Sequence, residues 1–255
     1  TEPSGDGKSL VLIDSAGDSN DPTNWAASAQ DGGSPGADEP PLSQPPVSIN
    51  EVLADNRSAV PHAGSFSGMI ELYNPGAAAR NLTGWGLSND GADPHKFTFP
   101  AGTQVSGRSY LVVWCDNFQA APGLHSGFAL NPAGETLFLS DPDGDRIDAF
   151  SFGLQVADHS LSRTGNLTVP TPGGANGTAV SLAAQDQLAI NEWLANRIAG
   201  QSDWLELYNQ DPDHPVALRD LHFDNSATIF RYAAHSFLSP KGFVRLWADE
   251  EPGPS

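Results

Sequence analysis

Parts of this chain are written twice, and the repetition constrains the fold more than any other feature. Ile49-Asn50-Glu51-Val52-Leu53-Ala54 returns 141 residues later as Ile190-Asn191-Glu192-Trp193-Leu194-Ala195. Glu71-Leu72-Tyr73-Asn74 returns after 135 residues as Glu206-Leu207-Tyr208-Asn209. Tyr110-Leu111-Val112-Val113-Trp114 returns after 133 as Phe243-Val244-Arg245-Leu246-Trp247. Leu87-Ser88-Asn89-Asp90 has a looser counterpart in Phe223-Asp224-Asn225-Ser226. The order is kept and the spacing drifts by loop-sized steps, as it does in a duplicated domain.

The second copy stops soon after Asp249, whereas the first runs on through Glu135 to Asp145 and closes at Pro172-Gly173-Gly174-Ala175. The missing part is matched at the other end. Lys8 to Asp18 resembles the segment from Glu135 to Asp145, 127 residues on, and Gly33-Ser34-Pro35-Gly36-Ala37 resembles the close. The expectation is therefore one complete domain, 47–176, with 1–38 and 188–255 as complementary halves of a second, and 39–46 and 177–187 as linkers. The halves either meet within one chain as a circularly permuted domain or complete each other between chains, head to tail. A slice of a longer tandem array is the third reading. Half-sheets left alone expose bare strand edges, which favours halves that meet.

The repeated segments have the period of strands. Ile70 and Leu72 share one face and Glu71 and Tyr73 the other. Tyr110 to Trp114 and Leu137 to Leu139 are short apolar runs bounded by Gly, Pro, Asn and Asp. Asp141-Pro142-Asp143-Gly144 reads as a turn, with Pro preset for its second position and Gly free to take positive φ. The stretch from Ser181 to Arg197 looks superficially helical, but its counterpart opens with Pro45-Pro46, so both are read as strands. Short, regularly spaced strands without a convincing helix predict an all-β fold of two β-sandwich domains.

Composition narrows the partners. The chain of 255 residues carries 12 Lys and Arg against 31 Asp and Glu, a net charge of -19. Only 17% of residues are charged, so the imbalance comes from missing cations. Such a surface repels nucleic-acid phosphates and anionic lipid, and leaves divalent cations and basic partners compatible. No apolar run approaches the roughly 20 residues of a membrane span. Thr1 to Gly7 is polar, and no signal peptide is expected within this chain. The single Cys115 can form neither an internal disulfide nor a cysteine-based zinc site.

Taken together, Ile49-Asn50-Glu51, Ile70-Glu71-Leu72-Tyr73-Asn74-Pro75, Asn81-Leu82-Thr83-Gly84-Trp85-Gly86-Leu87-Ser88, Phe97-Thr98-Phe99-Pro100, Tyr110 to Trp114 and Pro170-Thr171-Pro172-Gly173-Gly174-Ala175-Asn176 resemble the lamin tail domain family in its bacterial extracellular form. The resemblance implies an immunoglobulin-like β-sandwich of about a hundred residues and a non-catalytic module.

Motifs for chemistry fare poorly. Gly32-Gly33-Ser34-Pro35-Gly36 matches the nucleophile-elbow pattern, but Pro35 lacks the N–H that the oxyanion hole needs. Asp158-His159-Ser160 holds the residue types of a triad, yet adjacent strand residues point to opposite faces. The seven histidines, His62, His95, His125, His159, His214, His222 and His235, lack metal-ligand spacing and are expected at surface or rim positions. Asp141, Asp143, Asp145 and Asp148 form the densest acidic cluster and the candidate calcium site, with related positions at Asp14, Asp18 and Asp21. The cluster is not an EF-hand, which needs Gly and Glu where Arg146 and Phe152 stand, and Asp is also ordinary turn chemistry. Glu51 and Glu71, recurring as Glu192 and Glu206, are read as strand-end hydrogen-bonding groups rather than as an acid/base pair. Cys115 aligns with Ala248 in the repeat and is read as a small packed position. Trp85, Trp114 and Trp247 are expected in the core, and Trp25 and Trp204 partly buried. Asn81, Asn166 and Asn176 sit in glycosylation sequons.

No catalytic or cofactor site is expected. The leading expectation is a structural or adhesive module outside the cell or on its surface, associating with copies of itself or with other surface proteins. The alternative is a calcium- or carbohydrate-binding accessory module of a secreted hydrolase.

Overall fold

The computed structural model describes residues 8–12, 25–37, 46–117, 120–195, 202–224 and 229–247. Asp14, Asp18, Asp21, most of the 39–46 linker, and the repeat ends at Asn196–Arg197, Asn225–Ser226 and Ala248–Asp249 lie outside the described residues.

The N-terminal part holds β1 (Lys8–Leu12) and β2 (Trp25–Asp31). The central part holds β3 (Ser48–Leu53), β4 (Gly68–Tyr73), β5 (Arg80–Asn81), β6 (Gly86–Ser88), β7 (Phe97–Thr98) and β8 (Gln104–Val105). It continues with β9 (Tyr110–Cys115), β10 (Leu124–His125), β11 (Glu135–Ser140), β12 (Arg146–Phe152), β13 (Ser160–Ser162) and β14 (Leu167–Thr168). The C-terminal part holds β15 (Leu188–Leu194), β16 (Trp204–Asn209), β17 (Val216–Ala217) and β18 (His222–Asp224). It ends with β19 (Ile229–Arg231), β20 (Phe237–Leu238) and β21 (Phe243–Trp247). The fold is all-β, an immunoglobulin-like β-sandwich.

In the central part a six-stranded sheet, β10-β9-β4-β3-β13-β14, faces a four-stranded sheet, β12-β11-β6-β7. Alternation supplies the layer between them. Ile49 and Val52 of β3, Ile70 and Leu72 of β4 and Val113 of β9 meet Leu87, Leu137, Leu139, Phe150 and Phe152, all in one buried cluster. Each such side chain contributes roughly 1.5–3 kcal/mol through removal from water. Trp85 belongs to this core, but Trp114 does not. It sits with Leu53 and Met69 in a separate cluster packed by Val60 and Val112. Residue alternation puts Trp114 on the opposite side of β9 from Val113.

The repeated Glu-Leu-Tyr-Asn motif has a structural reason that its sequence alone does not disclose. Asn74 is buried at the end of β4, and its amide donates to the carbonyls of Ala78, Val105 and Ser106 while its oxygen accepts the Gly76 N–H. Asn209, at the end of β16, repeats the device on His214, Leu238, Ser239 and Asp211. Buried backbone carbonyls need donors, and one amide serves three of them.

The sheet β15-β16-β21 repeats β3-β4-β9 in further detail. Both have a bulge one residue before the first Glu, between Ile49 and Glu51 and between Ile190 and Glu192. The cross-strand aromatic pair Tyr73–Tyr110, 4.8 Å between centroids, is matched by Tyr208–Phe243 at 4.5 Å. Positive φ recurs too: Gly84 at 79° corresponds to Asp220 at 65°, and Gly102 at 83° to His235 at 59°. The 177–187 segment, expected as a linker, is pinned at both ends. Val180 N–H donates to the Leu167 carbonyl and Ala183 N–H to that of Pro215.

The N-terminal strands correct one expected correspondence. After β2 two residues, Gly32 and Gly33, lead to a turn at Ser34–Ala37. After β14 two residues, Val169 and Pro170, lead to a turn at Thr171–Gly174. In both turns Pro is second, Gly third with φ near 80°, and the fourth N–H returns to the first carbonyl, at 3.1 and 3.0 Å. From β12 to Thr171, by contrast, the chain passes through β13 and β14. Thus β1 and β2 correspond to β13 and β14, with Ser9-Leu10 standing for Ser160-Leu161, and not to β11 and β12. Counterparts of β11 and β12 are not among the described residues.

Candidate functional site

The two carboxylates at the β3 bulge define the most elaborate polar site of the central part. Glu51 and Glu71 lie opposite each other across β3 and β4, both with no exposed surface. Charged groups are rarely buried so fully unless they are bonded. Here the donors come from the closing turn. Glu51 accepts the Thr171 N–H at 2.9 Å, the Thr171 hydroxyl at 3.3 Å and the hydroxyl of Ser160. Glu71 accepts the Gly173 N–H at 2.5 Å and the Asn50 amide at 2.8 Å. Burial raises the Glu71 carboxyl to about 7, against the pull of the Gly173 and Asn50 bonds, and the nearby Glu51 adds to the rise. The chemical result is a clamp that fastens the Thr171–Gly174 turn to the sheet. Both carboxylates are sealed from solvent, so they act here as hydrogen-bond acceptors of the fold.

The C-terminal sheet carries the same pair in the same register, Glu192 opposite Glu206. Asn191 donates to Glu206 at 2.7 Å, as Asn50 does to Glu71. Glu192 is exposed and Glu206 half-buried. Ile190 and Trp193 are 55% and 69% exposed, where the matching Ile49 and Val52 are 0% and 1%. One difference is charged: Arg245 lies directly across from Glu206, where Val112 lies across from Glu71.

The four aspartates of the calcium expectation do not converge. Asp141 spends one oxygen on the N–H groups of Asp143 and Asp145 in its own turn. Asp148 is buried on β12, grips both guanidinium nitrogens of Arg163 at 2.7 and 2.8 Å, and accepts the Ile49 N–H. Burial raises its carboxyl while Arg163 pulls it down. Among the described residues no group of three His, Cys, Asp or Glu side chains is placed to hold a metal ion.

The histidines depart from a uniform surface placement. His125 is buried, with Nδ1 2.6 Å from Asp116, and His62 stacks on Trp114 at 4.0 Å. His235 stacks on Phe150, and its carbonyl accepts from Gln155, tying the C-terminal part to the central sandwich. Asp158, His159 and Ser160 go separate ways. Asp158, held down to about 2 by the Ser58 hydroxyl and neighbouring N–H groups, caps the loop from Arg57 to Ala59. His159 bonds the Ala157 carbonyl and Ser160 bonds Glu51. Cys115 is buried and its thiol is raised strongly by that burial. Trp25, Trp204 and Trp247 are half-buried, so Trp247 falls short of a core residue. Asn81 and Asn166 are exposed, whereas the Asn176 amide bonds the Asn50 carbonyl.

Residues 40–153 match the family model described as Lamin Tail Domain. The match covers the central copy up to the end of β12 and supports the resemblance carried by its motifs. The family is one of immunoglobulin-like, non-enzymatic interaction modules. Comparison with curated proteins returned no match. No helix among the described residues is long and apolar enough to cross a membrane.

Proposed function

We propose that this chain is a non-catalytic structural module, working outside the cell or at its surface, that associates head to tail with copies of itself. The observation that carries the reading is a pair of open strand edges. In the central sandwich β13 adds to β3, pairing Leu161 with Val52 and Ser162 with Glu51. Among the described residues the corresponding edge of β15 bears no strand and β1 is paired only with β2. Transferring the register sets Leu10 beside Trp193 and Val11 beside Glu192. An open edge of this kind accepts an added strand readily. Because donor and acceptor edges lie on different parts of the chain, each copy gives one hairpin and receives one, and the contact propagates. The extracellular setting is supported by the resemblance of the motifs to the bacterial extracellular form.

The test is static light scattering on the whole chain from low micromolar to near-millimolar concentration. Mass should grow continuously with concentration, without stopping at a dimer. A constant monomer mass would refute the reading.

A further inference from the structure

One surface position is built differently in the two copies. In the central copy β5 and β8 pair, and Asn81 and Gln104, opposite each other, are exposed. In the C-terminal part β17 and β20 take their place, and the pair is Ala217 and Phe237. Phe237 is 4% exposed and belongs to the hydrophobic cluster of the central sandwich, with Ala217 packed against it. Leu154, just after β12, packs in return on the C-terminal cluster of Leu207, Leu218 and Leu238. A polar, hydrated pair in one copy is thus an apolar, covered pair in the other, and the two cores exchange side chains across the joint. Domains within one chain ordinarily meet over more polar contacts and move against each other.

The turn before β20 fits a seat on the central sandwich. His235 has a φ of 59°, left-handed backbone that favours glycine, and the central copy has Gly102 there. From that strained position the imidazole stacks on Phe150 at 5.6 Å, and its Nδ1 lies 3.2 Å from the Ser151 carbonyl. Two glycines make room for the turn. A Cβ on Gly165 would fall 2.2 Å from Nε2 of His235, and a Cβ on Gly153 would fall 1.9 Å from the Ser236 hydroxyl oxygen. Gly153 lies outside the left-handed region, so close approach accounts for the glycine there, not backbone conformation. Two hydrogen bonds cross at the same place. The Gln155 amide donates to the His235 carbonyl at 2.8 Å, and the Phe237 N–H to the Leu154 carbonyl at 2.7 Å.

We propose that the His235-Ser236-Phe237 turn is a plug, and the surface around Gly153 and Gly165 its socket, in an interface that holds the C-terminal part at one fixed orientation on the central sandwich. The partner this socket fits is a copy of the domain whose turn carries an aromatic ring, a small hydroxyl and a large apolar side chain in succession. The central copy has Gly102-Thr103-Gln104 at those positions, with neither the ring nor the apolar side chain. The joint therefore has a direction: the second copy docks on the first, and the first presents no such plug. It operates within a single chain and does not require head-to-tail association. Where chains do associate, it fixes the edge of β15 at the same angle to the central sandwich in every copy.

Spin labels on Asp143→Cys and Gln210→Cys, both exposed positions, report the orientation in dilute solution, where Cys115 stays buried. The chain with Gly153 intact should give one narrow distance distribution, and a broad one refutes the proposal. Gly153→Ala should broaden it and speed hydrogen exchange at the Phe237 N–H by roughly tenfold or more. Exchange at Ile70 and Leu207, in the two sheets, should not change, which separates an opened joint from a lost fold. Adding Ser236→Ala removes the oxygen that meets the new methyl group and should restore the narrow distribution. The next atoms, Cβ of Ala233 and of Ser236, stand at 3.1 and 3.2 Å. His235→Gly takes the residue of the central copy and relieves the backbone, yet should also speed exchange at Phe237, because the ring is lost. If Gly153→Ala keeps a narrow distribution and slow exchange, the socket is refuted. If the double variant stays as broad as the single one, the fit of Ser236 against Gly153 is refuted, and unchanged exchange in His235→Gly refutes the role of the ring. All of these are read on single chains, so they stand or fall separately from the head-to-tail reading.

Discussion

Glu71 is a residue whose altered energetics fall in a pH range that experiment reaches easily. Its carboxyl is raised from the ordinary 4.5 to about 7, chiefly by burial. In the window between those values the folded chain holds a proton that the unfolded chain has released. The folded state therefore binds more protons, and stability falls as pH rises from about 4.5 through 7. The central transition should melt lower at pH 8 than at pH 5.5, and Glu71→Gln should flatten that difference. An undiminished difference in the variant would place its origin elsewhere. This carboxylate was legible in the sequence only as a repeated Glu with hydrogen-bonding duty. Its partner turn lies 102 residues away, and no local pattern announces a contact at that distance. Asp148 shows the same limit in reverse. Its spacing to Asp141, Asp143 and Asp145 invites a calcium loop, but alternation along β12 turns it inward to Ile49 and Arg163. A period of two separates neighbours in sequence onto opposite faces.

At the level of elements, the strands were legible because apolar residues alternate between turn residues, and the duplication was legible because whole strands recur. For the hairpin β1–β2 the sequence pattern points to a counterpart other than the one the strand ends define, for a definable reason. Lys8 to Asp18 and Glu135 to Asp145 share an apolar run followed by Asp and Gly, a composition that most strand–turn junctions share. What separates the alternatives is the distance from hairpin to closing turn, which becomes decisive only once strand ends are fixed. The correct correspondence makes a paired prediction. Leu161 on β13 is fully buried, and Leu161→Ala should cost about 2–5 kcal/mol in the central transition. Leu10, its counterpart on β1, is 49% exposed. Leu10→Ala should change the stability of the dilute chain by no more than about 0.5 kcal/mol, yet weaken association measurably, since the proposed strand addition is what covers it. Chemical denaturation and light scattering on the two variants separate these effects. A large stability loss from Leu10→Ala in dilute solution would mean that β1 is already packed within its own chain.

For the whole molecule, charge and association pull in opposite directions. Each copy carries -19, so two copies approaching head to tail repel over distances comparable to the Debye length. That length is roughly 30 Å at 0.01 M salt and about 8 Å at 0.15 M. The proposed contact itself joins one strand edge to another through backbone hydrogen bonds, and the entering residues Ser9 to Leu12 carry no formal charge of their own. Salt therefore screens the repulsion between copies far more than it weakens the bonds that join them. Association should strengthen from 0.01 to 0.15 M sodium chloride by severalfold and then level off, measured by sedimentation at fixed protein concentration. The opposite trend, a steady weakening with salt, would mean that basic residues of one copy ion-pair with acidic residues of the next. Arg245 would then be the first side chain to replace, because it lies in the sheet that receives the partner. A chain with so few cations has little capacity for such pairs. On the head-to-tail reading its order of assembly comes from backbone strand edges, with the net negative charge acting against contacts that lack them.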